Sequence, residues 1–243
     1  MNFKNRVYQK EQLDDLSLSG KKLHQTLGSL KLINTIFGNH KTLSKSVLNY
    51  CLSNRNKKPF HIVDLGCGGG DSIAHIYKTL HKRGIKALFT GIDGNPESIA
   101  FAKANTNVPK NSNFIVADIL APTFSIPDAD ILISSHFIYH FTNDDLIRFL
   151  ERVSTKKINH IIFSELYRSK IAYYLFKFSS PILPISLIAK RDGLLAIKRA
   201  FTVEELNKIL KRSNLKNASV HKKLWFRTLT VIPHRPQKLQ YVG

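Results

Sequence analysis

The chain has 243 residues, of which 43% are hydrophobic and 22% are charged, so it can form a sizeable core and is not expected to be disordered. Its 12 glycines and 9 prolines exclude collagen-like and low-complexity classes, and its 2 cysteines exclude a disulfide framework. We therefore expect one large domain with a small attachment, in a reducing, cytoplasmic compartment.

The chain is strongly basic, because 37 Lys and Arg residues against 17 Asp and Glu residues give a net charge of +20. A charge of this size attracts nucleic acid, anionic membrane surfaces or acidic ligands. The basic residues are spread along the chain and form no single block, so a plainly solvated surface explains them equally well. The charge alone selects no partner.

The N-terminal region has a helical pattern. Apolar residues recur every three or four positions over 20–37, which predicts a helix that stops at Gly38. A second helix is predicted over 42–52, and a polar linker then leads to Pro59. We interpret residues 1–58 as a helical N-terminal cap and residues 59–243 as the main domain.

The main domain alternates short apolar runs with helical patterns. Strands are predicted over 60–65, 87–92, 113–117, 129–134 and 160–164, and helices over 72–82, 96–104, 143–152 and 203–212. This alternation indicates βαβ units with a parallel sheet covered on both faces. Two further strands, over 218–224 and 226–232, are close enough to pair in antiparallel fashion.

An apolar insertion lies within about 168–198. Its core, residues 171–189, is rich in aromatic side chains, and Pro181 and Pro184 prevent one continuous helix. We expect it to form a lid that packs with the N-terminal helices and lines an apolar pocket for the substrate. The alternatives are a buried helix pair, or a patch on an anionic membrane surface flanked by basic residues.

The segment HIVDLGCGGGDS ends a strand at Asp64 and then places glycines at alternate positions from Gly66. Glycine lets the backbone approach a ligand, and the free N–H groups of the following helix point to the same place. The dinucleotide fingerprint fails, because Asp71 stands where its third glycine belongs. We interpret Asp71 as a first-turn helix residue. An acid before the turn suits a ligand with an ammonium group, such as S-adenosylmethionine.

The stretch DLGCGGG resembles the first motif of class I S-adenosylmethionine-dependent methyltransferases, and the later motifs follow in the family's order. The resemblance implies a Rossmann-like α/β fold, with a seven-stranded, mostly parallel sheet and an antiparallel last strand. It assigns an acid to the ribose hydroxyls, an acid and apolar pair to adenine, and two serines to the methionine moiety. The cofactor residues so implied are Asp64, Gly66, Cys67, Gly68, Asp93, Gly94, Asp118, Ile119, Ser134 and Ser135.

A closer similarity concerns the acceptor. The pieces EQLDD, YRSK, RDG and RAFT are similar to small-molecule methyltransferases found beside type III polyketide synthase genes. This similarity implies a hydrophobic aromatic acceptor such as a phenolic polyketide, methylated on a hydroxyl or, as the alternative, on a carbon. The expected acceptor contacts are Tyr139, Tyr173, Phe176 and Arg199.

The segment SHFIYHF, after the fourth strand, places His136 and His140 four residues apart. A phenol has a reference pKa of about 10, and a neutral imidazole can accept its proton as the methyl group is transferred. His136 replaces the apolar residue usual in the family, which makes it the preferred base. His140 matches a histidine that is often structural, and Glu165 is the second choice for a base. The alternative is that each histidine only forms a hydrogen bond in the wall of the site.

Two other functions remain as alternatives. An RNA methyltransferase is favoured only by the charge, because the N-P-P-Y residues of base-modifying enzymes are replaced by SSHF. A non-catalytic S-adenosylmethionine-binding module is the second. No metal is expected, since Asp144 and Asp145 belong to the first turn of a predicted helix. Nucleic acid is not the expected partner, and the oligomeric state is not predicted.

Overall fold

The computed structural model describes residues 3–55, 58–213, 215 and 217–234. The predicted linker lies partly outside the described residues, at 56 and 57. The strands are β1 (Phe60–Leu65), β2 (Ala87–Asp93), β3 (Asn113–Val116), β4 (Ala129–Ser135), β5 (Ile158–Leu166), β6 (Ser219–Lys223) and β7 (Arg227–Pro233). The helices are α1 (Gly20–Ile36), α2 (Asn39–Ser53), α3 (Asp71–His81), α4 (Pro96–Ala104), α5 (Asn143–Ser154), α6 (Lys170–Ser179), α7 (Leu187–Arg199) and α8 (Val203–Arg212).

The seven strands form one sheet in the order β3-β2-β1-β4-β5-β7-β6. Strands β1 to β5 run parallel, and β7 is antiparallel to both β5 and β6. This arrangement confirms the predicted fold class. The register pairs Leu65 with Ile92 and with Ser134, so β1, β2 and β4 end at the same edge of the sheet. Ligands bind outside this edge in open α/β sheets.

The sheet is buried on both faces, which explains the nearly continuous apolar runs of its central strands. In β1, Val63 and Leu65 face a core shared with α5 and α8, whereas Ile62 faces a core shared with α2 and α3. Val47 and other residues of α2 belong to this second core. Helix α2 therefore packs directly on the sheet that carries the site, and α1 packs on α2, α4 and α7.

The boundaries that differ most from the sequence prediction are those of α2 and β5. Helix α2 begins at Asn39, three residues early, because Gly38 adopts a left-handed conformation (φ 68°) that ends α1 and caps α2 at once. Strand β5 extends beyond 160–164 at both ends, because β4 pairs with Ile158 at its start and β7 pairs with it as far as Leu166 at its end.

The apolar insertion forms α6 and α7, and Pro181 and Pro184 lie in the connection between them. The prediction that the prolines interrupt the helix is confirmed. Among the described residues, no helix combines the length and the hydropathy that a membrane span requires.

Candidate functional site

The glycine-rich turn after β1 is a left-handed backbone segment. Gly66, Gly68 and Gly70 have φ values of 69°, 49° and 77°, which L side chains rarely adopt. A Cβ on Gly66 would also lie 2.6 Å from Cδ2 of Phe137. The Gly68 N–H donates to Oδ2 of Asp93 over 2.9 Å, which ties the turn to the end of β2. Glycine is thus needed at position 66 both for the left-handed backbone conformation and for the space that the Phe137 ring occupies.

Asp93 is fixed at the end of β2. Its Oδ1 accepts a hydrogen bond from the Asn95 N–H (2.9 Å), and Asn95 caps α4. Burial raises the pKa of Asp93, while the two backbone hydrogen bonds oppose this shift. A carboxylate offers about four lone-pair positions. Two of them are used here, so two remain for the vicinal hydroxyls of a ribose.

Asp64 lies beneath the turn with 1% of its surface exposed, and neither carboxylate oxygen has a hydrogen-bond partner among the described residues. Burial raises the pKa of Asp64 to about 8, and the nearby charge of Asp93 adds to this shift. Buried polar groups are normally paired. An unpaired buried carboxylate beside a left-handed glycine turn fits a ligand that carries an ammonium group.

A cavity of about 970 Å³ extends from this turn to α6 and α7. Pockets for drug-sized ligands measure roughly 300–1,000 Å³, so this cavity has room for a nucleoside-type molecule and a second ligand. The predicted site residues that line it are Gly66, Cys67, Gly68, Asp93, Gly94, Asp118, Ile119, Ser135, His136, Tyr139, His140, Phe176 and Arg199. The predicted residues that lie behind its wall are Asp64, Ser134, Glu165 and Tyr173.

Two of the residues behind the wall, Glu165 and Tyr173, have visible structural roles. Glu165 accepts hydrogen bonds from the backbone N–H groups of Phe137 (3.0 Å) and Ile138 (3.2 Å), and burial raises its pKa to about 8. It thereby holds the loop that carries both predicted histidines. Tyr173 packs edge-on against Phe3, with 5.4 Å between ring centroids.

His136 is held by Arg227. A guanidinium only donates, so the contact between Arg227 Nη1 and His136 Nε2 uses the lone pair of that nitrogen and leaves the proton on Nδ1. Burial, and then the charge of Arg227, lower the pKa of His136 well below its ordinary value. This geometry favours His136 as a hydrogen-bond donor in the cavity wall over His136 as a proton acceptor.

His140 is arranged in the opposite way. Its Nδ1 lies 2.9 Å from Oδ1 of Asp14 and 3.2 Å from Nη2 of Arg199. Burial tends to raise the pKa of Asp14, but hydrogen bonds from His140 and Arg199 outweigh it and lower that pKa. Asp14 is therefore ionised, and its contact with Nδ1 is shorter than that of Arg199, so we place the proton on Nδ1, which donates to Asp14. Arg199 then donates from Nη1 to Oδ2 of Asp14 (2.6 Å), and its Nη2 lies near Nδ1 without donating to it. The other ring nitrogen, Nε2, has no hydrogen-bond partner among the described residues and keeps a free lone pair.

The N-terminal segment before α1 forms part of the site, which the sequence interpretation missed. Arg199 pairs with Asp14 (2.6 Å) and Glu11 (3.3 Å), and Tyr139 donates to Glu11 over 3.3 Å. Asp192 accepts from two backbone N–H groups of the same segment at 3.0 Å. We call these contacts of the N-terminal segment with Arg199, Tyr139 and Asp192 the clamp. Its only signal in the sequence was the resemblance carried by EQLDD and RDG.

Glu11, Asp14 and His140 also place their ligand atoms within 4.8 Å of one another, a spacing that suits a metal ion. Arg199, however, contacts both carboxylates and supplies the positive charge that such an ion would bring. The positive charge of Arg199 thus compensates the carboxyl groups of this cluster.

The sheet order, the glycine turn and the acids at the ends of β2 and β3 define an S-adenosylmethionine-dependent methyltransferase of class I. A sequence model of a protein family described as a methyltransferase domain matches residues 56–238. The chain belongs to this methyltransferase-domain family.

The chain is also similar to a polyketide synthase, and two solved methyltransferases share its fold. Over 122 residues the chain is 26% identical to the non-reducing polyketide synthase Preu3 of Preussia isomera, a match that covers 46% of this chain. It spans only 5% of the length of that synthase. The plantazolicin methyltransferase BpumL, solved with S-adenosylhomocysteine and a pentazolic analogue, superposes with a TM-score of 0.65 at 18% identity, covering 87% of this chain and 91% of its own. Human N-acetylserotonin methyltransferase, solved with S-adenosylmethionine, gives 0.59 at 13% identity, covering 93% and 63%.

Proposed function

We propose that the protein transfers a methyl group from S-adenosylmethionine to a hydroxyl of a hydrophobic aromatic small molecule, such as a phenolic polyketide. The observation that carries this proposal is the pairing of Asp14 with His140 in the wall of an apolar cavity that continues past the glycine turn. A proton acceptor and an apolar space therefore lie side by side.

The acceptor end of the cavity is suited to an aromatic ring. Phe37, Phe137, Phe176 and Phe226 line it, and the aliphatic side chains of α1 complete the wall. Gly193 makes room for this lining, because a Cβ there would lie 2.6 Å from the ring of Phe176. The polar side chains of Asn34, His136 and Arg227, which also line the cavity, already contact one another, so a nucleotide base would find few free hydrogen-bond partners among them.

The chain's residues have distinct tasks in the proposed reaction. Asp93 holds ribose hydroxyls, Asp64 compensates an ammonium group, and Asp118 with Ile119 borders the adenine site. S-adenosylmethionine supplies an electrophilic methyl group when it is bound. His140 accepts the proton of the acceptor hydroxyl at Nε2, and Asp14 stabilises the imidazolium that forms.

Methylation of a carbon is a second candidate for the same site. The similarity to a polyketide synthase supports a polyketide acceptor but does not distinguish oxygen from carbon. A phenol activates both its oxygen and its ring carbons once the hydroxyl loses its proton, so the same base serves either outcome. The free Nε2 beside an apolar cavity favours the oxygen, where the negative charge is largest.

The experiment is a turnover assay with methyl-labelled S-adenosylmethionine and two acceptors offered separately, a 5-alkylresorcinol and total RNA. We expect label in the resorcinol and none in RNA. The Asp93→Ala variant is the matched control for dependence on the cofactor site. Label in RNA alone would favour the RNA methyltransferase, and binding of S-adenosylhomocysteine without turnover of either acceptor would favour the non-catalytic module.

A further inference from the structure

An exposed apolar surface, here named the apolar rim, borders the acceptor end of the cavity. It combines three parts of the chain: the end of α1, the α6–α7 segment and the β6–β7 turn. Its members are Ile36, Ile171, Leu175, Phe178, Ile182, Leu187, Leu224 and Trp225, all of them exposed. Single exposed apolar residues are ordinary, whereas a contiguous group marks a contact surface.

Contacts between the three parts make the apolar rim continuous. The Trp225 ring lies 5.4 Å from that of Phe37 at the α1–α2 junction, and Phe226 packs in the same cluster as Phe176 of α6. Ile36, Leu175 and Trp225 are half-exposed and also line the cavity. The rim therefore lies at a mouth of the cavity.

The high exposure of two rim side chains suits insertion among lipid acyl chains. Ile182 is 86% exposed at the α6–α7 connection, and Leu224 is 84% exposed at the β6–β7 turn. The turn is strained, because Trp225 and Phe226 have φ values of 59° and 55°, a region that bulky side chains rarely adopt. Strain of this kind concentrates where function requires a particular presentation of side chains.

The segments that form the rim carry charge of one sign. Residues 166–191 and 219–227 contain no Asp or Glu. Exposed cations without an ion-pair partner among the described residues stand beside the apolar side chains; they are Lys170, Lys177, Arg191, Lys222 and Lys223. Apolar side chains between unpaired basic residues are the composition that binds anionic lipid surfaces.

We propose that the apolar rim docks on a bilayer that contains anionic phospholipid, so that the mouth of the cavity opens toward the membrane. A protein partner would need separate matched pockets for Ile182 and Leu224, whereas acyl chains accept both in any register. The docking itself is independent of the proposed acceptor. If the acceptor is hydrophobic, as proposed above, it can enter the cavity directly from the bilayer.

Trp225 provides a direct probe, because it is the only tryptophan of the chain. The experiment measures its emission and the sedimentation of the full chain with vesicles of phosphatidylcholine containing about one third phosphatidylglycerol, against pure phosphatidylcholine. We expect a blue shift and co-sedimentation with the anionic vesicles only. Each basic residue near the surface contributes about fivefold to binding, so raising the salt from about 0.1 M to about 0.5 M should weaken binding at least about tenfold.

A matched pair of double variants distinguishes vesicle binding through the rim from non-specific adsorption of the protein to vesicles. Ile182→Ser with Leu224→Ser removes two rim side chains that do not line the cavity, and we expect at least about a tenfold loss of binding. Leu52→Ser with Leu88→Ser removes two exposed leucines away from the rim and should leave binding unchanged. Equal binding by both variants, an unshifted Trp225 emission, or equal binding to the pure phosphatidylcholine vesicles would overturn the proposal. Turnover of a soluble acceptor should be normal in both variants, so a failure of docking is distinct from a failure of catalysis.

Discussion

His140→Asn is the sharpest perturbation of the proposed base. The asparagine amide can donate to Asp14 in place of the Nδ1–H that now lies 2.9 Å from Oδ1, so the clamp with Arg199 survives while Nε2 is lost. A positioned general base contributes about 10²–10⁴ in rate. We use the lower end because the mouth of the cavity is open to water, and expect kcat to fall about 100-fold, or about 2.7 kcal/mol. The affinity for S-adenosylhomocysteine should not change.

His136→Gln is the matched comparison, because its Oε1 can accept the Arg227 hydrogen bond that Nε2 accepts now. We expect kcat within about fivefold of the unmodified protein. The assay is steady-state methyl transfer to a 5-alkylresorcinol, with calorimetry of S-adenosylhomocysteine for each variant. Normal turnover in His140→Asn together with a 100-fold loss in His136→Gln would refute the reasoning and return the base to His136.

Three further predictions concern the two ends of the cavity. Asp93→Ala should weaken S-adenosylhomocysteine binding at least about 100-fold by calorimetry, since two charge-assisted hydrogen bonds are lost; unchanged affinity would reject the ribose assignment. Phe176→Ala should raise the acceptor KM and leave the cofactor affinity unchanged, because Phe176 lines the cavity. Tyr173 does not line it, so Tyr173→Ala should lower the Tm without raising the acceptor KM. If Phe176→Ala weakened acceptor and cofactor binding equally, Phe176 would have only a structural role in the core. Asp64 has a pKa of about 8 in the free protein. Binding an ammonium group should lower it, so affinity should increase from pH 6 to about 8 with release of about one proton. Asp64→Asn should remove this dependence, and proton release that persists in the variant would contradict it.

The same carboxyl gives a stability prediction of known sign. The folded protein binds the Asp64 proton more tightly than the unfolded chain, whose pKa is about 3.9. The contribution of Asp64 to the stability of the cofactor-free protein should therefore decrease as pH rises from about 4 to about 8. Burial also raises the pKa of Glu11 and of Glu165 to about 8, so the contribution of Asp64 is measured as the difference from Asp64→Asn. S-adenosylhomocysteine should reverse this loss, which thermal denaturation at several pH values can measure.

The sheet and the cofactor end of the site could be predicted because local sequence dictates them. Strand β1 and its turn combine an apolar run, a terminal acid and alternating glycines within 12 residues, and Asp93 ends the next strand in the same way. The parallel sheet then brings these strand ends to one edge, independently of the conformations of the connecting loops. The cofactor was consequently the part of the function that sequence reasoning reached first.

The acceptor end could not be predicted, because distant parts of the chain meet there. The partner of His136 is Arg227, 91 residues later, and the partner of His140 is Asp14, in a segment without apolar periodicity. Nothing local to SHFIYHF indicates which histidine keeps a free nitrogen. The apolar rim likewise depends on Trp225 meeting Phe37, a contact that neither segment's pattern contains.

The most direct test of the proposed function is a structure of the protein with S-adenosylhomocysteine and a 5-alkylresorcinol bound together. The reaction proposed here predicts the aromatic ring against Phe176 and one phenolic oxygen within hydrogen-bond reach of His140 Nε2, about 2.6–3.2 Å. An acceptor bound outside the cavity, or a hydroxyl that contacts His136 while His140 stays remote from it, would contradict that reaction.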